Sequence, residues 1–431
     1  MSAASKIKRL SPEDEVMVYE KGGFLSYGAC GLPYYVGDFN DDYRKMIART
    51  KKEFDDSGIR SLVHHEVIQV NTDTKSVTVR NTLSKETFTD YYDTLMIATG
   101  ANALMPKFEG RDLLGVHVLK TLEDGIFLRE YSSMKEIRNV VIVGGGYIGV
   151  ECAEAYLNLG KNVRMVEAMD RILMPFAHEF SKLAQDELVS HGVKLHLQER
   201  VEKFIGNETV THIKTDKGTY EADLVIVAIG IRPATEFLEG TPIMRNKAGA
   251  IIVDREMRTS VECVYSAGDC AMVYNSIMKE NMYLALGTVA NKCGRIAGAN
   301  MTGQREKFMG ALSTAAIKVC NLEIGRTGLS EQDAKALRLD YSSKIVTSFD
   351  HPKYYPGQTE LHLKVIYENK TMKLLGAQVA GEKGAVMRTN IFAVAIQAGM
   401  TTSELGMIDL AYAPPFSGVW DAVHIAANAC K

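Results

Sequence analysis

Cys30 lies in the stretch GGFLSYGACGLPYYVGD (22–38), among small and turn-forming residues, with Gly31 and Pro33 just behind it. Such a segment is expected to place a thiol at a helix N-terminus, where the partial positive charge lowers its pKa and favours the nucleophilic thiolate. A second chemical signal is Gly144-x-Gly146-x-x-Gly149, which follows an apolar run and precedes Glu167 at the end of the next one. In this pattern the first glycine permits a tight turn and the second lets a pyrophosphate approach the backbone. The third lets the helix pack closely on its strand. The helix N-terminus then faces the phosphates. An acid at the Glu167 position hydrogen-bonds the adenosine ribose hydroxyls, which favours NADH over NADPH, with Lys161 and Arg164 close by in sequence. Glu20 ends VMVYE (16–20) as Glu167 ends VRMVE (163–167), and is expected to meet the ribose of a second dinucleotide.

The other cysteines stand at 152, 263, 270, 293, 320 and 430, with no CxxC pair among them. That spacing gives no zinc ligand pairs, so no metal is expected, and an odd total of seven does not make a secreted disulfide framework. A reducing cytoplasm fits this usage. Cys152 falls in the helix after the glycine-rich turn, so Cys30 is expected to work without a partner cysteine. Its oxidised state would then be a mixed disulfide with a small thiol, or a sulfenic acid.

These groups need a scaffold. A chain of 431 residues divides into two or three domains. A net charge of -3 offers no basic footprint for nucleic acid. No apolar run approaches the ~20 residues of a membrane span, and the start shows no signal-peptide pattern. VVIVGGGYIG (140–149) reads as a buried strand entering a turn, followed by helix 150–160, strand 163–167 and a later strand LVIVAIG (224–230). The first half repeats the design with helix 2–10, strand 16–20 and strand LMIATG (95–100). Alternation of this kind implies right-handed βαβ units on parallel sheets, hence two dinucleotide-binding, Rossmann-like domains. Aligning 16–20 on 163–167 brings Met1 level with 148–150, so the first half is expected to lack its opening strand and phosphate loop through a shortened start. Beyond 310, runs 343–349, 361–368 and 373–381 read as antiparallel strands, 384–400 as a helix, and 409–430 as loop and helix. This is a separate α+β domain.

The segment SYGACGLPYYVG (26–37) resembles the single-cysteine branch of the pyridine nucleotide–disulfide oxidoreductases, which holds coenzyme A disulfide reductases, NADH oxidases, NADH peroxidases and NADH-dependent persulfide reductases. The resemblance runs in order through IATGA (97–101), GGGYIGVE (144–151), IVAIGIRP (226–233), YSAGDC (265–270), LALGTVANKCGR (284–295), HPKYYPG (351–357) and DLAYAPPFSGVWDA (409–422). It implies a glutathione-reductase-like α/β architecture: an FAD-binding domain at 1–105 and 230–310, an NAD(P)-binding domain at 106–229, and a dimerisation domain at 311–431 of a homodimer.

The same resemblance implies residue roles. Cys30 would lie against the flavin and attack the substrate sulfur, with Ser26 in the SxxxC element of the coenzyme A disulfide reductases. Ala98, Thr99 and Gly100 would line the adenine half. Asp269 would bind the flavin's ribityl or phosphate region, and Leu286, Gly287, Thr288 and Ala290 would run near its ring, with Gly230 also in the cofactor set. Tyr147 and Glu151 would sit at the nicotinamide site beside Gly144, Gly146 and Gly149. Arg9 would contact the coenzyme A nucleotide, and Tyr354 and Tyr412 would reach into the partner subunit's active site. The implied activity is FAD-dependent, NAD(P)H-driven reduction of a disulfide or persulfide, with coenzyme A disulfide leading as substrate and mixed-disulfide partner. The alternative is an NADH oxidase or peroxidase that reduces oxygen or peroxide through a Cys30 sulfenate. Ala29 and Trp420 depart from the pattern of one well-known coenzyme A form.

Overall fold

Strand Asn139–Val143 (NVVIV) is almost wholly β-branched and buried over its last four residues, as a strand covered on both faces must be. In the computed structural model, which describes all 431 residues, it is the centre of a five-stranded parallel sheet. The order is Lys194–His196, Asn162–Val166, Asn139–Val143, Leu224–Val227, Val116–His117. Helix Tyr147–Asn158 starts three residues before the expected 150, because Gly146 already serves as its N-cap. The strand expected at 224–230 stops at Val227, and Gly230 turns the chain with φ +124°. Likewise 95–100 is strand only through Ile97, and Gly100 takes φ +68°.

The first half repeats this plan with one position unfilled. Val16–Glu20 pairs in parallel with Ile59–Val63, and Leu95–Ile97 pairs in parallel with Val264–Ser266. These are two separate two-stranded sheets. Matched by order, they correspond to 162–166 with 194–196 and to 224–227 with 116–117 of the other unit. No strand of this chain stands where Asn139–Val143 stands there. Helix Ser2–Leu10 takes the place of Tyr147–Asn158 and packs on helix Gly287–Met301. The close approach requires glycine, since a Cβ on Gly298 would lie 2.6 Å from the Ala3 carbonyl oxygen.

A three-stranded antiparallel sheet follows Ile59–Val63 in the first unit and Lys194–His196 in the second: His65–Asn71, Ser76–Asn81 and Thr87–Tyr91 in the first, Val201–Gly206, Val210–Thr215 and Thr219–Glu221 in the second. Past residue 310, strands Tyr341–Phe349, Glu360–Glu368 and Leu374–Gly381 join Leu322–Gly328 and Ala315–Val319 in one antiparallel sheet. Helices Ala385–Ala398 and Ala422–Asn428 cover it. No helix is long and apolar enough to cross a membrane.

Candidate active site

Backbone hydrogen bonds fix the segment before Cys30: Gly28 N–H donates to Met46 O at 2.9 Å, and Ala48 N–H to Ser26 O at 2.9 Å. Cys30 lies in the short turn Ala29–Gly31, and Leu32–Val36 follows as a helix anchored by buried Leu32 and Val36. This helix runs alongside Tyr147–Asn158. Asn158 Nδ2 donates to Gly37 O at 2.6 Å, and a Cβ on Gly37 would sit 2.7 Å from Ala155 Cα. With ~1.5 Å of rise per residue in each helix, Cys30 comes level with the first two turns of the longer one, which carry Tyr147 and Glu151.

The thiol reaches solvent, but the protein behind it governs its charge. Burial raises the Cys30 pKa above its ordinary value, and the Glu151 and Asp269 carboxylates raise it further, while Lys120 opposes them. This corrects the expected lowering. The helix behind Cys30 has only five residues, and burial is the main cause of the rise, with the two nearby carboxylates adding to it. Lys120 Nζ lies 3.4 Å from Asp269 Oδ2, in a half-buried pair. Burial, then Glu154, pushes the Glu151 carboxyl up to about 7. The Tyr34 phenol goes to about 12, through burial and then Glu151.

Glu151 supplies a pH test of stability. Its folded pKa of about 7 stands above the ordinary 4.5, so between these values the native state binds more protons than the unfolded chain. Stability therefore falls as pH rises through that window and stays lower above it. Glu151→Gln is expected to match the wild type near pH 4.5 and to be more stable at pH 8, by on the order of 2 kcal/mol after solvent screening. Thermal unfolding at the two pH values measures this, and an equal gain at both would exclude the charge as its cause.

The second loop is built around glycine. Gly144 has φ +105°, and a Cβ there would meet Ala228 O at 2.6 Å. On Gly149 a Cβ would lie 2.0 Å from Gly144 O, whereas at Gly146 it would meet nothing within 4 Å. Glu167 clasps this loop, accepting from Gly145 N–H at 2.6 Å and from Met169 N–H at 2.7 Å. Lys161 and Arg164 do not join it. Lys161 Nζ donates to Ile137 O at 2.7 Å, and the Arg164 guanidinium stacks 4.1 Å over the Tyr220 ring. Tyr147 sits 5.9 Å from the Phe176 ring, half-buried beside the loop. An open face at Gly146 next to a helix N-terminus fits a dinucleotide pyrophosphate.

In the first half, Glu20 accepts from Gly22 N–H at 2.7 Å, the same i to i+2 contact that Glu167 makes with Met169. The Thr99 hydroxyl donates to Ala234 O at 2.7 Å beside exposed Ala98, and Leu104 N–H donates to Gly230 O at 3.0 Å. Asp269 follows Gly268, which has φ +91°. Leu286 caps helix Gly287–Met301, whose first residues Gly287 and Thr288 are exposed, and Ala290 faces Gly268. First-turn N–H groups have no partner within the helix, so this end beside Asp269 fits the polar chain of a flavin nucleotide. The chain holds no second loop of the Gly144–Gly149 kind next to Glu20.

Arg9 is exposed in the last turn of the first helix, and Ser26 is half-buried. The Tyr354 and Tyr412 hydroxyls meet at 3.1 Å on exposed loops of the C-terminal unit, and no hydrogen bond within the chain joins them to the Cys30 group. Sequence reasoning missed Lys120. It looks like an ordinary residue before a helix, and its only signal is the Thr121–Asp124 capping box that fixes where that helix starts.

The family model for pyridine nucleotide-disulphide oxidoreductases matches residues 1–292, and the model for the dimerisation domain of the same family matches 314–423. A curated relative, the NAD(P)H coenzyme A polysulfide/persulfide reductase of Pyrococcus horikoshii, is 38% identical across 100% of this chain and 96% of its own. The NADH oxidase of Enterococcus faecalis is 31% identical over 99% of this chain and 96% of its own. Among solved structures, an NAD-dependent persulfide reductase from A. fulgidus aligns with TM-score 0.95 and 35% identity, over 99% of this chain and 80% of that one.

Proposed function

The chain belongs to the pyridine nucleotide-disulphide oxidoreductases, and from that footing we propose that it uses FAD and NAD(P)H to reduce a disulfide or persulfide, coenzyme A disulfide foremost, through Cys30 alone. The observation that carries this reading is the isolation of an accessible thiol. Cys30 is exposed, Cys152 is 1% exposed in the neighbouring helix, and all seven cysteines are free. Free thiols also suit a reducing compartment such as the cytoplasm.

Gly144, Gly146, Gly149 and Glu167 would hold the nicotinamide dinucleotide. Glu20, Asp269, Lys120 and the open turn at Gly287–Thr288 would hold the flavin nucleotide. Bound flavin supplies the two-electron relay between nicotinamide and thiol. The protein's own part begins with Cys30. Its thiolate attacks one substrate sulfur, so that one S–S bond forms as another breaks and the first thiol leaves with a proton. Reduction of the mixed disulfide by two electrons and a proton frees the second thiol and restores the thiolate. Glu151, poised at about 7, holds a proton close to this sulfur.

Glu167 presents an anion where a 2′-phosphate would sit, which favours NADH. Met387, Val394, Met407, Phe416 and Val419 are each more than 65% exposed on the C-terminal unit, and burial of this apolar surface supports a homodimer. The partner's tyrosine pair then completes the site. The second reading, oxygen or peroxide reduction through a sulfenate, draws on the solvent access of Cys30 and on the NADH oxidase relative.

Flavin-loaded protein given NADH and coenzyme A disulfide without oxygen is expected to release two thiols per NADH. NADPH should turn over more slowly. NADH oxidation that consumes oxygen and yields no thiol would overturn the reductase reading in favour of the second.

A further inference from the structure

We infer that Arg388 is the positioning residue for the Tyr354–Tyr412 hydroxyl pair, a role that rests on the reading above of those tyrosines as part of the partner's disulfide site. Arg388 is a buried cation on helix Ala385–Ala398, and its side chain is 9% exposed, as is that of its partner Asp421. Nε donates to both Asp421 carboxylate oxygens, at 3.1 and 3.0 Å, and Nη2 donates to Oδ2 at 2.7 Å. The same Nη2 reaches Asp350 O at 2.9 Å and Phe416 O at 3.2 Å. Gly384 makes room for the group: it has φ +72°, and a Cβ there would lie 2.7 Å from Arg388 Nη1.

These contacts fasten two loops to one guanidinium. The first, 350–359, carries Tyr354. Asp350 Oδ1 accepts from His351 N–H at 2.9 Å and from Thr359 N–H at 2.8 Å, which closes the loop at its base. His351 Nε2 lies 3.1 Å from Tyr355 O within it. The second, 408–421, carries Tyr412. Asp421 N–H donates to His424 Nδ1 at 3.1 Å, so that ring's Nε2 carries the proton and donates to Ile408 O at 2.8 Å. Arg388 therefore holds the base of one loop and both the interior and end of the other. Tyr354 is 72% exposed and Tyr412 46%, so packing does not fix their hydroxyls at 3.1 Å. A lysine has no planar fork and would not bridge a carboxylate and two carbonyls at once.

The test uses the full-length, flavin-loaded dimer. Arg388→Lys is expected to lower kcat/KM for coenzyme A disulfide by about tenfold to a hundredfold, the range a displaced positioning contact produces. NADH turnover with ferricyanide, which needs no disulfide site, should hold. Amide exchange should quicken in 350–359 and 408–421 but not in strands 360–368 and 374–381. Added to Tyr354→Phe/Tyr412→Phe, the lysine variant should cost little more, because both act on one unit. Gly384→Ala, which crowds the guanidinium without removing charge, should give a milder form of the same pattern if Arg388→Lys does not fold. Full disulfide activity in Arg388→Lys, a fully additive loss, or faster exchange throughout the sheet would each overturn the positioning role. Should the tyrosine variant alone keep full disulfide activity, the tyrosine reading fails, while the two-loop exchange pattern still reports whether Arg388 fastens them.

Discussion

Cys30→Ser is expected to lower coenzyme A disulfide reduction by at least about a thousandfold, because a serine hydroxyl is far less acidic and nucleophilic than even a thiol of raised pKa and forms no bond to sulfur that two electrons reopen. The substitution removes no buried packing, since Cys30 is exposed, and serine suits the turn Ala29–Gly31. Folding, flavin retention and NADH-dependent ferricyanide reduction should therefore persist. Cys152→Ser is the informative control. That sulfur is sealed beneath helix Tyr147–Asn158, and burial pushes its pKa far above the ordinary range. It should leave turnover intact. Retention of most disulfide reduction by Cys30→Ser, or a comparable loss in Cys152→Ser, would contradict a single-thiol cycle. Thiol release and ferricyanide turnover measured on the same preparations decide between them.

The parts of this molecule that local chemistry dictates were open to reading in its residues. Helix 2–10 and strand 16–20 fall where periodicity places them, because short βαβ elements carry their pattern within a single run. The glycine loop was legible for the same reason, since Gly144, Gly146, Gly149 and Glu167 obey a spacing set by backbone geometry. Strands Ala315–Val319 and Leu322–Gly328 were missed. Ala315–Val319 alternates with exposed Ala316 and Lys318, and Leu322–Gly328 is broken by Glu323 and Arg326, so no long apolar run marks them. The direction of the Cys30 pKa was misjudged because its causes are not local. Burial comes first, then Glu151 and Asp269, which lie far along the chain and reach the thiol only in the folded protein. Arg388 escaped notice likewise, because a charged residue in an apolar helix shows no function until Asp350, Phe416 and Asp421 converge on it.

Gly146→Ala and Gly149→Ala are expected to separate binding from stability within four residues. At Gly149 a methyl would overlap the Gly144 carbonyl oxygen at 2.0 Å, a backbone atom that cannot rotate away. The helix must then lift from strand Asn139–Val143, which places this variant among core substitutions costing roughly 2–4 kcal/mol, with several degrees lost in melting temperature. NADH binding should fail with it, since the helix N-terminus moves off the pyrophosphate. Gly146 is the reverse case. Its φ of -76° suits alanine, and the added methyl meets no protein atom within 4 Å. Stability without nucleotide should stay within about 0.5 kcal/mol of the wild type. Yet the methyl occupies the face where a phosphate must come against the backbone. Losing one charge-assisted contact there should weaken NADH by roughly 10- to 100-fold. Melting without nucleotide and calorimetric titration with NADH provide the two readouts. A Gly146→Ala protein that binds NADH normally would mean that the open face at Gly146 is not where the dinucleotide lies.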